Sequence, residues 1–319
     1  MDQNNSHISL NDLFEVSLPG FAADVENLLL VVCSKKETFE YQYAFVTNNS
    51  PETKWLFPEP GKESIYIFPL YIHHENSMNQ MDKINAPKTS NLNPEIVKQI
   101  AQKLFLHFDN EKEYTNQNNN SPVCYANSAE VSEDFKIDAF PQSFAPINIF
   151  DYVYAVLNSG KYTQKNKDQL KKDFPIIPLP KNQIIFWKLI TLGKELRKLH
   201  SLEGSEVEKY ITQFPVEGKN KVNKIRFEEN YAHIDGDTII QMTPSYERGR
   251  VYINDTQFFQ MVPRPAWELT LGTLKPAKQW LKNKKDSILS AEEIMQYQKI
   301  IVALFETDRI RKEIDKLSF

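Results

Sequence analysis

Glycine is scarce in this chain of 319 residues: the nine glycines are Gly20, Gly61, Gly160, Gly193, Gly204, Gly218, Gly236, Gly249 and Gly272, and no two are close neighbours. Loops that cradle phosphates need several glycines together, so that the backbone can approach the ligand. The usual nucleotide-binding loops are therefore excluded, and with them helicase chemistry. Cysteine is scarcer still. Cys33 and Cys124 make no disulfide framework, and the polar start Met1-Asp-Gln-Asn-Asn has neither the basic nor the apolar region of a leader. No apolar run exceeds the six residues of Leu28–Cys33, against the roughly 20 that a membrane span requires. These absences give the expectation of a cytoplasmic protein that does not enter a membrane.

Other absences bear on catalysis. There is no Pro-Pro pair, so the polar-Pro-Pro-aromatic loop of an adenine or cytosine methyltransferase is missing; Asn93-Pro94-Glu95-Ile96 reads better as a helix start. Glu206-Val-Glu208-Lys209 and Glu195-Leu-Arg-Lys198 have the residue types of a magnesium nuclease, but they lie in helical, surface-like sequence. His73 and His74 are adjacent and would diverge on a strand. His7, His107, His200, His233 and the cysteines lack ligand spacing. No Gly-x-Ser-x-Gly is present. The residues point to binding and to no catalytic or metal centre in this chain.

What the chain does have is aromatic side chains, 20 Phe and 14 Tyr, and an uneven charge. The net charge is −4, yet residues 1–150 hold 20 Asp/Glu against 10 Lys/Arg, and the rest hold 28 Lys/Arg against 22 Asp/Glu. Such a chain can present a phosphate-facing surface without being basic overall. Charge alone fits ordinary solvated lysines better, since surface lysines are common whatever the function.

Strand signals run over 28–32, 41–46 and 65–72. Asn91 or Asn93 caps a helix opening at Pro94, with Ile96, Ile100, Leu104 and Phe108 on one face. Residues 111–121 are polar and of low complexity, and 122–143 read as irregular. Ile147–Leu157 forms an apolar helix, Tyr162–Phe174 a basic one, and Pro175–Pro180 a stiff extended connector. Asn182 caps a long amphipathic helix through Leu199. Strands follow at 224–227, 238–242, 250–253, 258–262 and 267–271, with a turn at Asn254-Asp255. Ser290-Ala-Glu-Glu293 is a capping box that opens a terminal helix. The fold class is α+β, with a mixed sheet, several amphipathic helices, a helical C-terminus and two interleaved subdomains. The division expected is an N-terminal subdomain over 1–115, a linker or irregular segment over 116–143, and a C-terminal domain over 144–319.

Three ordered blocks carry a family likeness. The first runs from Ile149-Phe150-Asp151-Tyr152-Val153-Tyr154-Ala155-Val156-Leu157-Asn158-Ser159 through Tyr162 to Asp173-Phe174-Pro175-Ile176-Ile177-Pro178. The second is Phe186-Trp187-Lys188 with Leu192-Gly193-Lys194-Glu195-Leu196-Arg197-Lys198-Leu199-His200. The third is Trp267-Glu268-Leu269, Leu274 to Lys282, and Leu289-Ser290 to Thr307. Together they resemble the C-terminal specificity domain of type ISP restriction–modification proteins, single chains that join nuclease, helicase-like, methyltransferase and target-recognition parts. The likeness is good from about 147 to 315, patchy from 25 to 72 and absent between. An Arg-Pro-Phe-Asp type motif that usually precedes this region is missing, as are the methyltransferase motifs. An arginine that often follows the Asn-Leu-Leu strand is replaced by Ser34-Lys35. The chain is thus expected to be a fragment of a longer protein or an orphan recognition subunit.

The resemblance implies sequence-specific recognition of double-stranded DNA in partnership with a methyltransferase domain or subunit. S-adenosylmethionine would belong to that other part, and this chain would hold no cofactor. The alternative is a scaffold that docks a methyltransferase and touches DNA nonspecifically. Phosphates are gripped by Lys and Arg, and base edges are read by Asn, Gln, Arg or Lys. The basic helix offers Lys161, Gln164, Lys165, Lys167, Lys171 and Lys172. The strand region offers Lys221, Lys224, Arg226, Arg248 and Arg250, with Gly249 expected to allow a sharp turn between two arginines. The segment before the last helix offers Lys278, Lys282, Lys284 and Lys285. Trp187, Trp267 and Trp280 are expected in the core.

Overall fold

The computed structural model describes residues 7–19, 27–35, 40–48, 55–56, 63–73, 88–110, 140–229, 232–235, 238–241 and 248–319. Most of the expected linker and Cys124 lie outside them. The elements in chain order are β1 (His7–Ser9), α1 (Leu10–Leu13), β2 (Leu18–Pro19), β3 (Leu29–Lys35), β4 (Tyr41–Thr47), β5 (Glu63–Pro69), β6 (Tyr71–His73), β7 (Lys88–Ser90), α2 (Pro94–Leu104) and β8 (His107–Phe108). Then come β9 (Ser143–Phe144), α3 (Pro146–Asn158), α4 (Gly160–Lys165), α5 (Lys167–Leu170), β10 (Ile176–Pro178) and α6 (Gln183–His200). The last are β11 (Arg226–Glu229), β12 (Ala232–Asp235), β13 (Thr238–Gln241), β14 (Arg248–Tyr252), β15 (Phe258–Pro263), α7 (Arg264–Glu268), α8 (Pro276–Asn283) and α9 (Ala291–Lys316). The chain is α+β, with its strands distributed over several small sheets.

The Leu-Leu-Val-Val-Cys run of β3 is buried on both faces: β3 is an inner strand, paired antiparallel to β4 on one edge and to β5 on the other, and α3 and α6 pack on β4 of the same sheet. Helix α3 is the centre of the molecule. Nearly every side chain from Asn148 to Asn158 is buried, as an all-round apolar helix requires. Its polar residues are satisfied within that core: Asn148 Oδ1 accepts from Ala145 N at 2.8 Å, and Asn158 Nδ2 donates to Tyr154 O at 3.0 Å.

Residues from both ends of the chain share one apolar cluster. Strand β1 pairs with β10, which turns the proline-rich connector into a short strand. Tyr41 Oη donates to Leu157 O at 2.9 Å, and Trp55 Nε1 to His200 O at 3.0 Å. Tyr66 meets Phe174 edge to face, with ring centroids 4.8 Å apart.

Helix starts follow their caps. Asn93 Oδ1 accepts from Glu95 N, Asn182 Oδ1 from Ile185 N, and Ser290 Oγ from Glu293 N. Three expectations fail. Helix α2 ends at Leu104, where Phe105 turns left-handed (φ 54°), so Phe108 leaves the helical face and pairs in β8 with β9. The basic helix of 162–174 is two short ones, because Asn166 (φ −102°, ψ 16°) interrupts it and turns its Nδ2 back to Tyr162 O. The strand expected at 267–271 is replaced by α7, which Pro265 suits as a first-turn residue, followed by a lone bridge from Leu271 to Leu274.

Candidate nucleic-acid interface

Strand β14 alternates Arg248-Gly-Arg250-Val-Tyr252, so its arginines and Tyr252 share one face while Val251 faces the core. Strand β11 pairs antiparallel with it, Arg226 opposite Tyr252 and Glu228 opposite Arg250, which puts Arg226 on that same face. On the far side Tyr252 stands opposite Phe258 of β15. The outer face of this three-stranded sheet is therefore arginine over aromatic. The Arg226 guanidinium carbon lies 3.5 Å from the centre of the Tyr252 ring, and that of Arg250 4.4 Å from Phe258. Both rings are buried beneath them. Arg226 also pairs with Glu228.

Gly249 makes no turn. It sits in the extended strand, where a Cβ would lie 2.6 Å from Glu228 O and closer still to the Phe227 ring. The irregularity is on β15 instead, where Gln260 and Met261 stand against Arg250 alone and Met261 takes a positive φ of 63°.

The lysines before β11 and those before α9 come together. Lys221 bridges to Ile288; Val222 N donates to Ser287 O at 2.9 Å, Asp286 N to Val222 O at 2.7 Å, and Leu289 N to Asn220 O at 3.0 Å. This pairing places exposed Lys221 beside the segment that bears Lys282, Lys284 and Lys285. Lys224 continues the line toward Arg226 and pairs with Asp255 at 2.7 Å. Lys284 is bound to Glu293 at 2.6 Å, and its Nζ lies 5.6 Å from the centre of the Trp280 ring. Lys278 is exposed on α8. Ile288, 66% exposed, stands among these cations as an uncovered aliphatic side chain. The turn at 253–257 holds as expected: Gln257 N donates to Asn254 Oδ1 at 2.7 Å, and Gln257 Nε2 reaches Asn220 Oδ1 at 2.7 Å. The amides of this turn thereby tie the hairpin to the lysine-bearing segment.

The other basic group lies elsewhere. Lys161 and Lys165 line a cleft of about 190 Å³ with His7, Lys181 and Phe319, while Gln164, Lys167 and Lys171 line another of about 410 Å³ with Arg311. Lys172 is exposed beside them. Burial and then the Lys165 charge hold the His7 imidazole below its ordinary pKa. Helix α9 separates the two groups. Tyr297 packs against Phe259 behind the sheet, with tilted rings and centroids 4.5 Å apart, and Asp315 accepts from Ser159 Oγ at 2.6 Å at the start of α4. The two residues are eighteen helical steps apart, about 27 Å at 1.5 Å per residue.

The acidic sequences weighed for nuclease chemistry are ordinary surface pairs. Glu206 binds Lys209 at 2.6 Å, Glu208 binds Lys299 at 3.1 Å, and Glu195 binds Arg309 at 3.5 Å. Among the described residues no three His, Cys, Asp or Glu side chains are grouped to hold a metal ion, and no helix is long and apolar enough to cross a membrane. Trp187 and Trp280 are core residues; Trp267 is half-buried and stacks on Phe227, with centroids 5.8 Å apart.

The family model for the type ISP C-terminal specificity domain matches residues 9–313. The chain belongs to this family. No curated protein matches the specificity domain described here. Its fold is similar to part of the DrdV–DNA complex (TM-score 0.54, 15% identity, 90% of this chain and 24% of that one). It is similar also to the ATP-dependent type ISP restriction–modification enzyme LlaBIII bound to DNA (TM-score 0.54, 14% identity, 98% of this chain and 17% of that one). A third likeness is to a nuclease-deletion mutant of the type ISP enzyme LlaGI in complex with a DNA substrate mimic (TM-score 0.50, 15% identity, 91% and 21%). The specificity domain thus spans about a quarter or less of the length of the solved chains it matches. The family match begins at residue 9, so it takes in the acidic first half, where the three sequence blocks carried little.

Proposed function

We propose that this specificity domain recognises a defined sequence in duplex DNA for a restriction–modification system, through the face built from β11, β14 and the paired 220–224 and 282–289 segments. The observation that carries the reading is the convergence of Lys221, Lys224, Lys282, Lys284 and Lys285 beside the arginine-covered sheet. Lysines around a planar, arginine-bearing surface separate the two tasks of a DNA reader, phosphate grip and base contact. The DNA held by the similar solved chains supports the same reading. Methyl transfer or cleavage falls to other parts of the system, among them a methyltransferase domain or subunit in which S-adenosylmethionine is expected.

Binding to random and genomic duplexes at two salt concentrations tests this. The expected result is tight binding that weakens steeply with salt, with a preferred subset among the genomic duplexes. No binding at low salt would refute DNA recognition. Equal affinity for every duplex would leave the domain as a scaffold that docks a methyltransferase.

A further inference from the structure

We infer that Arg226 and Arg250 are the base-reading residues of this face, each directed at a guanine, while the lysines around them hold phosphates. The inference rests on the DNA reading above and adds which side chains carry sequence information.

Three features of the sheet argue for it. First, each guanidinium lies over a buried ring, Arg226 on Tyr252 and Arg250 on Phe258. A guanidinium stacked in this way is held in one plane, so the direction of its N–H edge is fixed. That edge matches O6 and N7 of guanine, which accept two parallel hydrogen bonds in the major groove. A phosphate contact needs no such orientation, and a flexible lysine serves it equally well. Second, among the described residues β11 is the outer strand of the order β11-β14-β15, so a duplex that approaches from that margin meets Arg226 first and Arg250, on the middle strand, next. Third, the register makes Arg226 and Arg250 diagonal neighbours, since Arg226 faces Tyr252 and Arg250 faces Glu228. Their guanidinium groups lie over Tyr252 and Phe258, whose ring centroids are 5.0 Å apart, between one and two steps of the 3.4 Å repeat of DNA. The two arginines are therefore matched to guanines that are adjacent or separated by one base pair.

Glu228 stands between them on the same face and pairs with Arg226. It neutralises part of the arginine charge in the free protein, which lowers attraction to phosphates at large and favours contacts that satisfy direction as well as charge.

The test is selection of bound duplexes from a randomised library by the full chain, run in parallel with Arg226→Lys and Arg250→Lys. Lysine keeps the charge and loses the planar fork, and both positions lie on the outer face, so folding should survive; thermal unfolding checks that it does. The wild-type chain should enrich a site with two guanines adjacent or one base pair apart. Each variant should lose the preference at one of them, with about 10- to 100-fold weaker binding to the selected site. Affinity for random duplex should change less than about threefold, because lysine retains the charge that sets nonspecific binding. If both variants enrich the wild-type site unchanged, the assignment of these arginines is overturned and the DNA reading stands. If the wild-type chain enriches no site but binds, base reading by this chain is overturned altogether. If it binds no duplex at low salt, both readings fall.

Discussion

Asp151 on α3 holds Arg197 on α6 with both carboxylate oxygens, Oδ1 at 2.6 Å from Nε and Oδ2 at 3.1 Å from Nη2. The carboxylate is almost wholly buried and the arginine mostly so. Burial pushes the Asp151 pKa up, and the Arg197 charge opposes the rise. Removing one partner strands a charge in the interior. Asp151→Asn or Arg197→Met should each cost about 3–5 kcal/mol, and the double change to apolar residues less than either alone. Urea unfolding of the three variants measures this, and strictly additive costs would show that the two groups do not interact.

The same pair of helices leaves no room at Gly193. A Cβ there would lie 2.7 Å from the carbonyl carbon of Asp151 and nearer its oxygen. Gly193→Ala must therefore push α3 and α6 apart. The expected loss is about 2–3 kcal/mol, read as a lower denaturant midpoint. An unchanged midpoint would mean that the helices cross less closely than described.

His200 is buried at the end of α6, its Nδ1 against the Tyr154 hydroxyl and its Nε2 2.9 Å from Thr307 Oγ1. Burial, and then the Arg311 charge, bring its pKa down to about 3. Its folded pKa is below the unfolded value of about 6.5, so the unfolded chain binds a proton first. Stability from this group is full above pH 6.5 and is lost as pH falls toward 3, at up to about 1.4 kcal/mol per unit. Between pH 7 and 5 the wild type should lose about 2 kcal/mol more than His200→Gln. Equal losses in the two proteins would assign the acid sensitivity to other groups.

Helix α9 starts in a reciprocal cap: Ser290 Oγ accepts from Glu293 N at 3.2 Å, and Glu293 Oε2 from Ser290 N at 2.9 Å. Ser290→Ala should cost about 1 kcal/mol. Differential scanning calorimetry resolves a change of that size, and a null shift would mean that water replaces the cap.

Salt dependence separates the two basic groups. Each lysine that neutralises a phosphate contributes about 0.9 to the slope of log affinity against log salt. Replacing Lys221, Lys282 and Lys285 together by alanine should lower that slope by about 2–3. Replacing Lys161, Lys165 and Lys172 should lower it by less than about 1, since that group lies at the other end of α9. The reverse ordering would move the DNA to the α4–α5 side.

Much of the local structure was legible in the sequence because its causes are local. Asn93, Asn182 and Ser290 cap amides two to three residues away, and the apolar run of β3 announces a buried strand without reference to anything else. The break at Asn166 and the helical turn at Arg264 are not legible in the sequence, since a polar or proline residue is compatible with several local outcomes and packing chooses among them. For the site, the sequence contained the cations and the alternation Arg248-x-Arg250-x-Tyr252, together with family blocks that pointed to a specificity domain. It could not say which cations share a surface. Lys221 meets the Lys284–Lys285 segment only because 220–222 pairs with 286–289, and Arg226 lies on Tyr252 only because of the β11–β14 register. Those are contacts between distant stretches of chain, decided when strands pair and cores close, and no short-range pattern encodes them.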